Sequence, residues 1–305
     1  MSVPHTGENF GDLLDPRFQK IFTEQYDQLP DMLTSLYTFE NHNGRDDMKW
    51  SSVGTVPDFE EFSGNVNYNS QNQGYDTIAL TKEYTNGIQI ERKLFDDDQY
   101  NIMDQRPRAL ATDAARTRQK HGAQLLNNAF SVDNTFATNS EGVALCSDSH
   151  TTTSGASTAS GFDNKGTSAL SATAVAAART QMVGYRGDQA ERISIMPDEI
   201  WIPNNLYEEA FEIVSSMGKL DTNNNNRNVH EGQYKIVEWN YLTDNNNWFM
   251  ADSTMRKQSV FWVDRVGLEF AMAEDFDTFI AKWRSYMRYT SAWTDWRWIF
   301  GSQVA

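Results

Sequence analysis

The sequence predicts an α+β protein, and three stretches predict it. Tyr75 to Phe130 passes from strand-like alternation into one long helical pattern. The last third of the chain returns to strands, with aromatic residues on one parity and cations on the other. Between them lies a strand–proline–helix unit with short loops. Strands and helices gathered into separate runs point to segregated layers and not to a regular βαβ alternation.

Taken in order, residues 1–43 read as an N-terminal arm. Asp15-Pro16 is expected to open a short helix whose stripe is Phe18, Ile21, Phe22 and Tyr26. Pro30 interrupts it; Met32, Leu33, Leu36, Tyr37 and Phe39 resume the pattern, and Asn43-Gly44 marks a turn. Residues 44–93 read as an extended two-stranded loop with little core of its own. Its tip, Asn65 to Gly74, is rich in Asn, Gln and Ser. A two-stranded ribbon is marginal alone in water, so Trp50, Phe59, Phe62, Tyr68 and Tyr75 are expected to lie on a neighbouring subunit. Within Tyr75–Tyr84, Ile78 and Leu80 alternate with Thr77, Ala79 and Thr81, as on a strand with unlike faces.

The acidic triplet Asp96-Asp97-Asp98 precedes the helix expected from about Pro107 to Phe130. Leu110, Ala111, Ala114, Ala115, Leu125, Leu126, Ala129 and Phe130 recur there at three- and four-residue steps. Pro107 suits a first-turn position, where its missing N–H removes no helical bond. At 1.5 Å per residue the helix would be about 36 Å long, a beam and not a pocket. His121 within it reads as a packing or interface residue. Ser171 is expected to cap a helix of Ala172–Val183 stopped by Gly184. Ile200-Trp-Ile202 reads as a buried strand ended by Pro203. Asn205 with Glu208 forms an amide capping box, and Leu206, Ala210, Val214 and Met217 make one helical face. Tyr234–Tyr241 and Trp248–Ala251 flank the turn Asp244–Asn247. In the C-terminal strands Trp283, Met287, Tyr289 and Trp293 share one parity, and Lys282, Arg284 and Arg288 the other.

Composition narrows the function classes. A chain of 305 residues with 39% hydrophobic residues, nine Trp and seventeen Phe can build a substantial core. A net charge of −16 argues against nonspecific binding to nucleic acid or an anionic membrane, both of which reward a basic surface. A single cysteine, Cys146, excludes an intrachain disulfide and suits a reducing compartment. The N-terminus lacks the basic and apolar regions of a signal peptide. No stretch approaches the ~18–20 apolar residues of a membrane helix.

Catalytic motifs are absent: there is no Walker loop, dinucleotide fingerprint, Gly-x-Ser-x-Gly elbow or His-Glu-x-x-His. Cys146, Asp148 and His150 alternate closely enough for a metal or thiol–imidazole site, but a buried small Cys beside a satisfied loop His is the plainer reading. Asp96–Asp98 and Asp221 with its Asn run lack the spacing of a calcium loop. The Lys282, Arg284, Arg288 row could meet phosphate, acidic neighbours or another subunit. Trp293, Trp296 and Trp298 sit at strand periodicity, which favours packing over carbohydrate stacking. No catalytic residue, cofactor or metal is assigned.

The ordered parts resemble the major capsid proteins of tailed bacteriophages, with the Hong Kong 97 fold and closest to the Mu-like major head subunits. Leu145-Cys-Ser-Asp-Ser-His150, Ile200-Trp-Ile-Pro-Asn-Asn-Leu206, Trp248-Phe-Met-Ala-Asp252 and Arg288-Tyr289 with Asp295-Trp-Arg-Trp-Ile299 carry the resemblance. It implies an arm at 1–43, an extended loop at 44–93, and a peripheral domain at 94–143 and 253–305. Leu110, Ala114, His121 and Leu125 then belong to the spine helix, and 144–252 to an axial domain. It further implies self-assembly through pentamers and hexamers into an icosahedral shell around double-stranded DNA, in the virion after a stay in the host cytoplasm. Separate scaffold and portal proteins are expected, and a decoration protein is compatible. The Lys, Asn and acidic set of covalently cross-linked members does not map onto this chain. A ring-forming tail-tube protein, or a hydrolase built on carboxylate pairs, are the competing readings.

Overall fold

A computed structural model describes residues 8–56, 58, 59, 61, 62, 64, 66, 68, 72–91, 104–218, 227–275 and 280–305. Asp96–Asp98 and Asp221 with its Asn run lie outside the described residues.

The chain opens with α1 (Glu8–Asp27) and a short α2 (Leu33–Leu36), then β1 (Thr38–Asn41). A hairpin follows, β2 (Asp47–Val53) and β3 (Gln73–Leu80), and Thr81 alone separates it from β4 (Lys82–Glu91). The long helix is α3 (Gln105–Asn127), followed by β5 (Ala137–Asn139) and β6 (Lys165–Gly166). The central unit is α4 (Ala172–Val183), β7 (Glu199–Ile202), α5 (Tyr207–Ser215), β8 (Lys235–Glu238) and β9 (Trp248–Ala251). After α6 (Ser253–Ser259) come β10 (Val260–Asp275), β11 (Ile280–Trp293) and β12 (Ile299–Ser302).

Among the described residues the strands form three sheets, ordered β1-β10-β11-β4, β6-β12-β9-β7-β8 and β2-β3-β5. The first is built on the β10–β11 ribbon, registered from Val260 opposite Trp293 to Asp275 opposite Ile280. In the second, β7, β9 and β12 are buried on both faces, as unbroken apolar runs require. Trp201, Trp239, Trp248, Trp262 and Trp298 are fully buried, which accounts for much of the tryptophan content.

The long helix forms where periodicity places it, with Pro107 in the first turn. Its buried face runs through Leu110, Ala111, Ala114, Arg118, Gly122, Ala123 and Leu126. Arg118, a polar position by pattern, grips Asp264 of β10 with both terminal nitrogens at 3.0 and 2.9 Å. A bidentate guanidinium–carboxylate pair of this kind fixes orientation as well as adding energy. Gly122 lets α2 and the 239 region approach closely: a Cβ there would stand 2.1 Å from Leu33 Cδ2 and 3.3 Å from Trp239. Tyr37 donates its hydroxyl proton to the Gly122 carbonyl at 2.8 Å.

Five expectations change. α1 begins at Glu8, so Pro16 lies inside the helix and does not open it. Phe18 packs with Ile90 and Trp283, and Phe22 with Leu110 and Ala111, so this part of the arm is covered by its own subunit. β4 is not part of the two-stranded excursion; it pairs with β11 along its whole length. In β3 the buried side chains are Thr77 and Ala79, while Ile78 and Leu80 face out. Thr77 turns inward because its hydroxyl donates to the Trp293 carbonyl at 3.1 Å. Finally, Asn205 and Glu208 form no capping box. A 3₁₀ turn over Asn204–Leu206 leads into α5, which has no side-chain cap, and Met217 is exposed beyond its end. The Ser171 cap does form, accepting from the Ala174 N–H.

Candidate assembly site

The excursion is a narrow hairpin held firmly at its base. β2 and β3 pair from Asp47 opposite Leu80 to Val53 opposite Gln73, with an irregularity between Ser51 and Val53. β3 also pairs with β5, and Lys49 meets Asp76 at 2.9 Å. The open end is tied to the loops beside it. Tyr75 and Thr151 share a hydroxyl–hydroxyl bond of 2.6 Å, and Thr153 donates to the Gln73 carbonyl at 2.9 Å. Thr55 accepts from the Asp188 N–H at 3.0 Å. Asp188 in turn is held by Arg297 at 3.0 Å, and Arg297 also binds Asp295 and lies over the Trp296 ring.

Beyond this base the side chains lose their cover. Phe59 is 106% exposed, Phe62 71% and Tyr68 93%, and Val53, Val56 and Val66 are exposed with them. Burying a side chain of this size is worth about 1.5–3 kcal/mol, and none of these exposed residues gains it within its own chain. Trp50 and Tyr75 are different. The Trp50 ring stacks on Phe261 of its own chain, 5.6 Å between centroids and 5° between planes, and its Nε1 donates to Glu40 at 3.0 Å. Tyr75 is bound to Thr151 near the hairpin's open end. Of the five expected assembly residues, Phe59, Phe62 and Tyr68 are exposed, while Trp50 and Tyr75 bind within their own chain.

The spine residues are internal. Leu110 and Ala114 are buried and Leu125 packs at the edge of the main core. His121 Nδ1 lies 2.6 Å from the Tyr289 hydroxyl, and its ring sits against Tyr84. Burial, with Lys82 close by, holds His121 below the usual histidine range. In the cation row, Lys282 reaches Asp275 at 3.4 Å and Arg288 reaches Glu83 at 3.6 Å, both within the chain. Arg284, the third member of the row, is exposed.

Cys146 and His150 do not bond to one another. Burial pushes the Cys146 thiol well up from its ordinary value. His150 stacks flat on Trp296 at 4.2 Å, with Nδ1 3.1 Å from Glu141 and Nε2 3.2 Å from Asn164. Asn164, which no sequence pattern singled out, is the hub here. Its amide donates to the Leu145, Trp296 and Ile299 carbonyls, at 2.8, 3.4 and 3.2 Å, and its oxygen accepts from the Ser147 N–H at 2.7 Å. Among the described residues no three metal-ligating side chains gather, and no helix is long and apolar enough to cross a membrane.

A family profile described as phage capsid protein matches residues 74–301. No curated protein matches the chain. Among solved structures, the mature capsid of bacteriophage PhiM1 superposes with a TM-score of 0.58 at 10% identity, covering 91% of this chain and 88% of that one. The capsid of cyanophage P-SCSP1u gives 0.57 at 15% identity, covering 88% and 86%. The capsid of an empty GTA particle gives 0.56 at 11% identity, covering 91% of each chain. At such identities the superpositions speak for the fold, and the profile, spanning most of the sequence, speaks for the family. The chain therefore belongs to the phage capsid protein family and is a bacteriophage major capsid protein with the Hong Kong 97 fold.

Proposed function

We propose that the chain is the repeating subunit of a closed icosahedral shell, joined to its neighbours through the hairpin that leaves the subunit at β2–β3. The observation that carries this is the exposed aromatic set Phe59, Phe62 and Tyr68 beyond a base fixed by hydrogen bonds. A rigid stem with an apolar end is suited to lap over a second copy. The solved procapsid of bacteriophage JBD30, with a TM-score of 0.52 over 97% of this chain, supports a shell built from such subunits.

In this reading pentamers and hexamers close around double-stranded DNA, which a subunit of net charge −16 encloses without adhering to it. The central unit, 144–252, surrounds the symmetry axes, and α3 with the β10–β11 ribbon forms the peripheral part. Subunits fold in the host cytoplasm before assembly, and separate scaffold and portal proteins guide closure, with room for a decoration protein outside. A Mu-like head is the nearest kinship the sequence motifs support. The role is structural and needs no catalytic group.

Electron microscopy of the purified protein, alone and with its neighbouring gene products, tests the proposal. Closed shells are expected. Only monomers, or only stacked tubes, under every condition would overturn it. Phe59→Ser with Phe62→Ser is expected to leave the subunit's melting curve unchanged and abolish shells; normal shells from that variant would refute the lapping hairpin.

A further inference from the structure

Asn-Gly occurs twice in the chain, at Asn43–Gly44 and Asn86–Gly87, and the fold treats the two pairs differently. Asn43 lies in the exposed bend between β1 and β2, with Gly44 at a φ of +83°. The Gly44 N–H donates to His42 Nδ1 at 2.9 Å, so the ring hydrogen of a neutral His42 sits on Nε2 and the Nδ1 lone pair faces the amide proton. The Asn43 side chain curls the same way. Its oxygen accepts from the Arg45 N–H at 2.9 Å, which brings the amide carbon back towards the following peptide. Arg265 of β10 pins the bend by donating to the Arg45 carbonyl and to Asp46, both at 3.1 Å. A Cβ on Gly44 would meet nothing within 4 Å, so water reaches the bend. Burial, Arg265 and Arg288 hold the His42 imidazole below its usual range against the pull of Asp46, which keeps it neutral at physiological pH.

We propose that Asn43 is a self-deamidation site, with the Gly44 nitrogen as nucleophile and His42 as its base. His42 Nδ1 takes the Gly44 amide proton as that nitrogen attacks the Asn43 side-chain carbon. The new C–N bond closes a five-membered ring, and the charge gathering on Oδ1 meets the Arg45 N–H already bonded to it. The bond from that carbon to Nδ2 then breaks, the imidazolium returns its proton, and ammonia leaves a succinimide behind. Water opens the ring at either carbonyl and yields aspartate or isoaspartate, with no oxidant or cofactor required. Either product replaces the amide that donates to the Asp47 carbonyl at 3.3 Å with a carboxylate. Isoaspartate also lengthens the main chain by one methylene where β1 hands over to the hairpin. Asn86–Gly87 is arranged against the same step. The Gly87 N–H is taken by the Asn86 oxygen at 2.8 Å and not by a base. Pairing with β11, Asn86 opposite Ser285 and Gly87 opposite Arg284, fixes the peptide that would have to turn for the ring to close.

Incubating the full chain at neutral pH and mapping its peptides by mass spectrometry tests the assignment, since the two Asn-Gly pairs report side by side. In the folded chain Asn43 is expected to convert about tenfold or more faster than Asn86, and in urea the two should convert at similar rates. His42→Gln keeps an acceptor for the Gly44 N–H but no base. It is expected to leave the melting curve unchanged and to slow Asn43 by about tenfold or more, a modest share of what a positioned base contributes in an enzyme. His42→Phe serves if His42→Gln does not fold. Above neutrality the parent's rate should rise less steeply with pH than the variant's, because an imidazole already neutral replaces hydroxide as the base. Conversion of Asn43 no faster than Asn86 in the folded chain, or no faster folded than in urea, would overturn the site. An unchanged Asn43 rate in both His42 variants would overturn the role of His42.

Discussion

Removing the Arg256 guanidinium should loosen the subunit more than any surface change. Arg256 donates through Nε and Nη2 to the two oxygens of Glu199, both at 3.0 Å, and through Nη1 to the Leu36 carbonyl at 2.9 Å. Glu199 also accepts from Trp201 Nε1 at 3.1 Å. Arg256 and Glu199 are 4% and 5% exposed. One side chain of α6 thereby joins the first residue of β7 to the end of α2. Arg256→Met strands a buried carboxylate with only the Trp201 bond and leaves the Leu36 carbonyl without this donor. Breaking such a buried pair costs about 3–5 kcal/mol, a large share of the ~5–15 kcal/mol that holds a folded domain. Urea titration of the unassembled subunit, followed by tryptophan fluorescence, measures it. Glu199→Leu with Arg256→Met is expected to be less destabilised than Arg256→Met alone, since no unpaired charge remains. A loss under ~1 kcal/mol for Arg256→Met, or a double variant equal to the sum of the two single losses, would refute the reasoning.

Three other expectations follow from the packing. His121 is held below its ordinary range by burial and Lys82, so the unfolded chain takes up the proton first. Stability should fall as pH drops below about 6.5, and His121→Gln should flatten that part of the stability–pH curve relative to the parent; parallel curves would disprove it. Asn164→Leu removes donors and acceptors from five buried partners and should cost roughly 2–4 kcal/mol by denaturant titration, in line with several stranded polar groups. Gly122→Ala should destabilise by about 1–3 kcal/mol through overpacking against Leu33, despite the ~1 kcal/mol helix propensity it gains. Adding Leu33→Val should recover part of that loss in thermal melts.

What the sequence reveals and what it hides divide along the range of the interaction. The periodicity of α3, the Ser171 cap of α4 and the buried Ile200–Ile202 run are local patterns, and each forms where it is read. The partner of β4 is β11, some two hundred positions later, and no local pattern carries that pairing. Trp50 resembles the other aromatics of the excursion until Phe261 covers it. Thr77 takes the inward face of β3 from the more apolar Ile78 because a carbonyl from β11 awaits its hydroxyl. Asn164 reads as one more polar loop residue, since the carbonyls it binds come from separate segments. The aromatic content of 58–68 is plain in the sequence. Which rings stay uncovered required knowing where the rest of the chain goes.

The junction at Thr81 has a mechanical consequence. The hairpin and the body of the subunit are consecutive strands of different sheets joined by a single residue. The torsions there, together with the β3–β5 pairing, the Thr77 bond to Trp293 and the Trp50–Phe261 stack, set the angle between them. The eight residues of β3 make a lever arm of about 26 Å, so a tilt of 10° at this fulcrum moves its far end by roughly 5 Å. The bonds at Tyr75, Thr153 and Thr55 oppose that swing. Their combined strength sets how far the hairpin can tilt without refolding any part of the subunit.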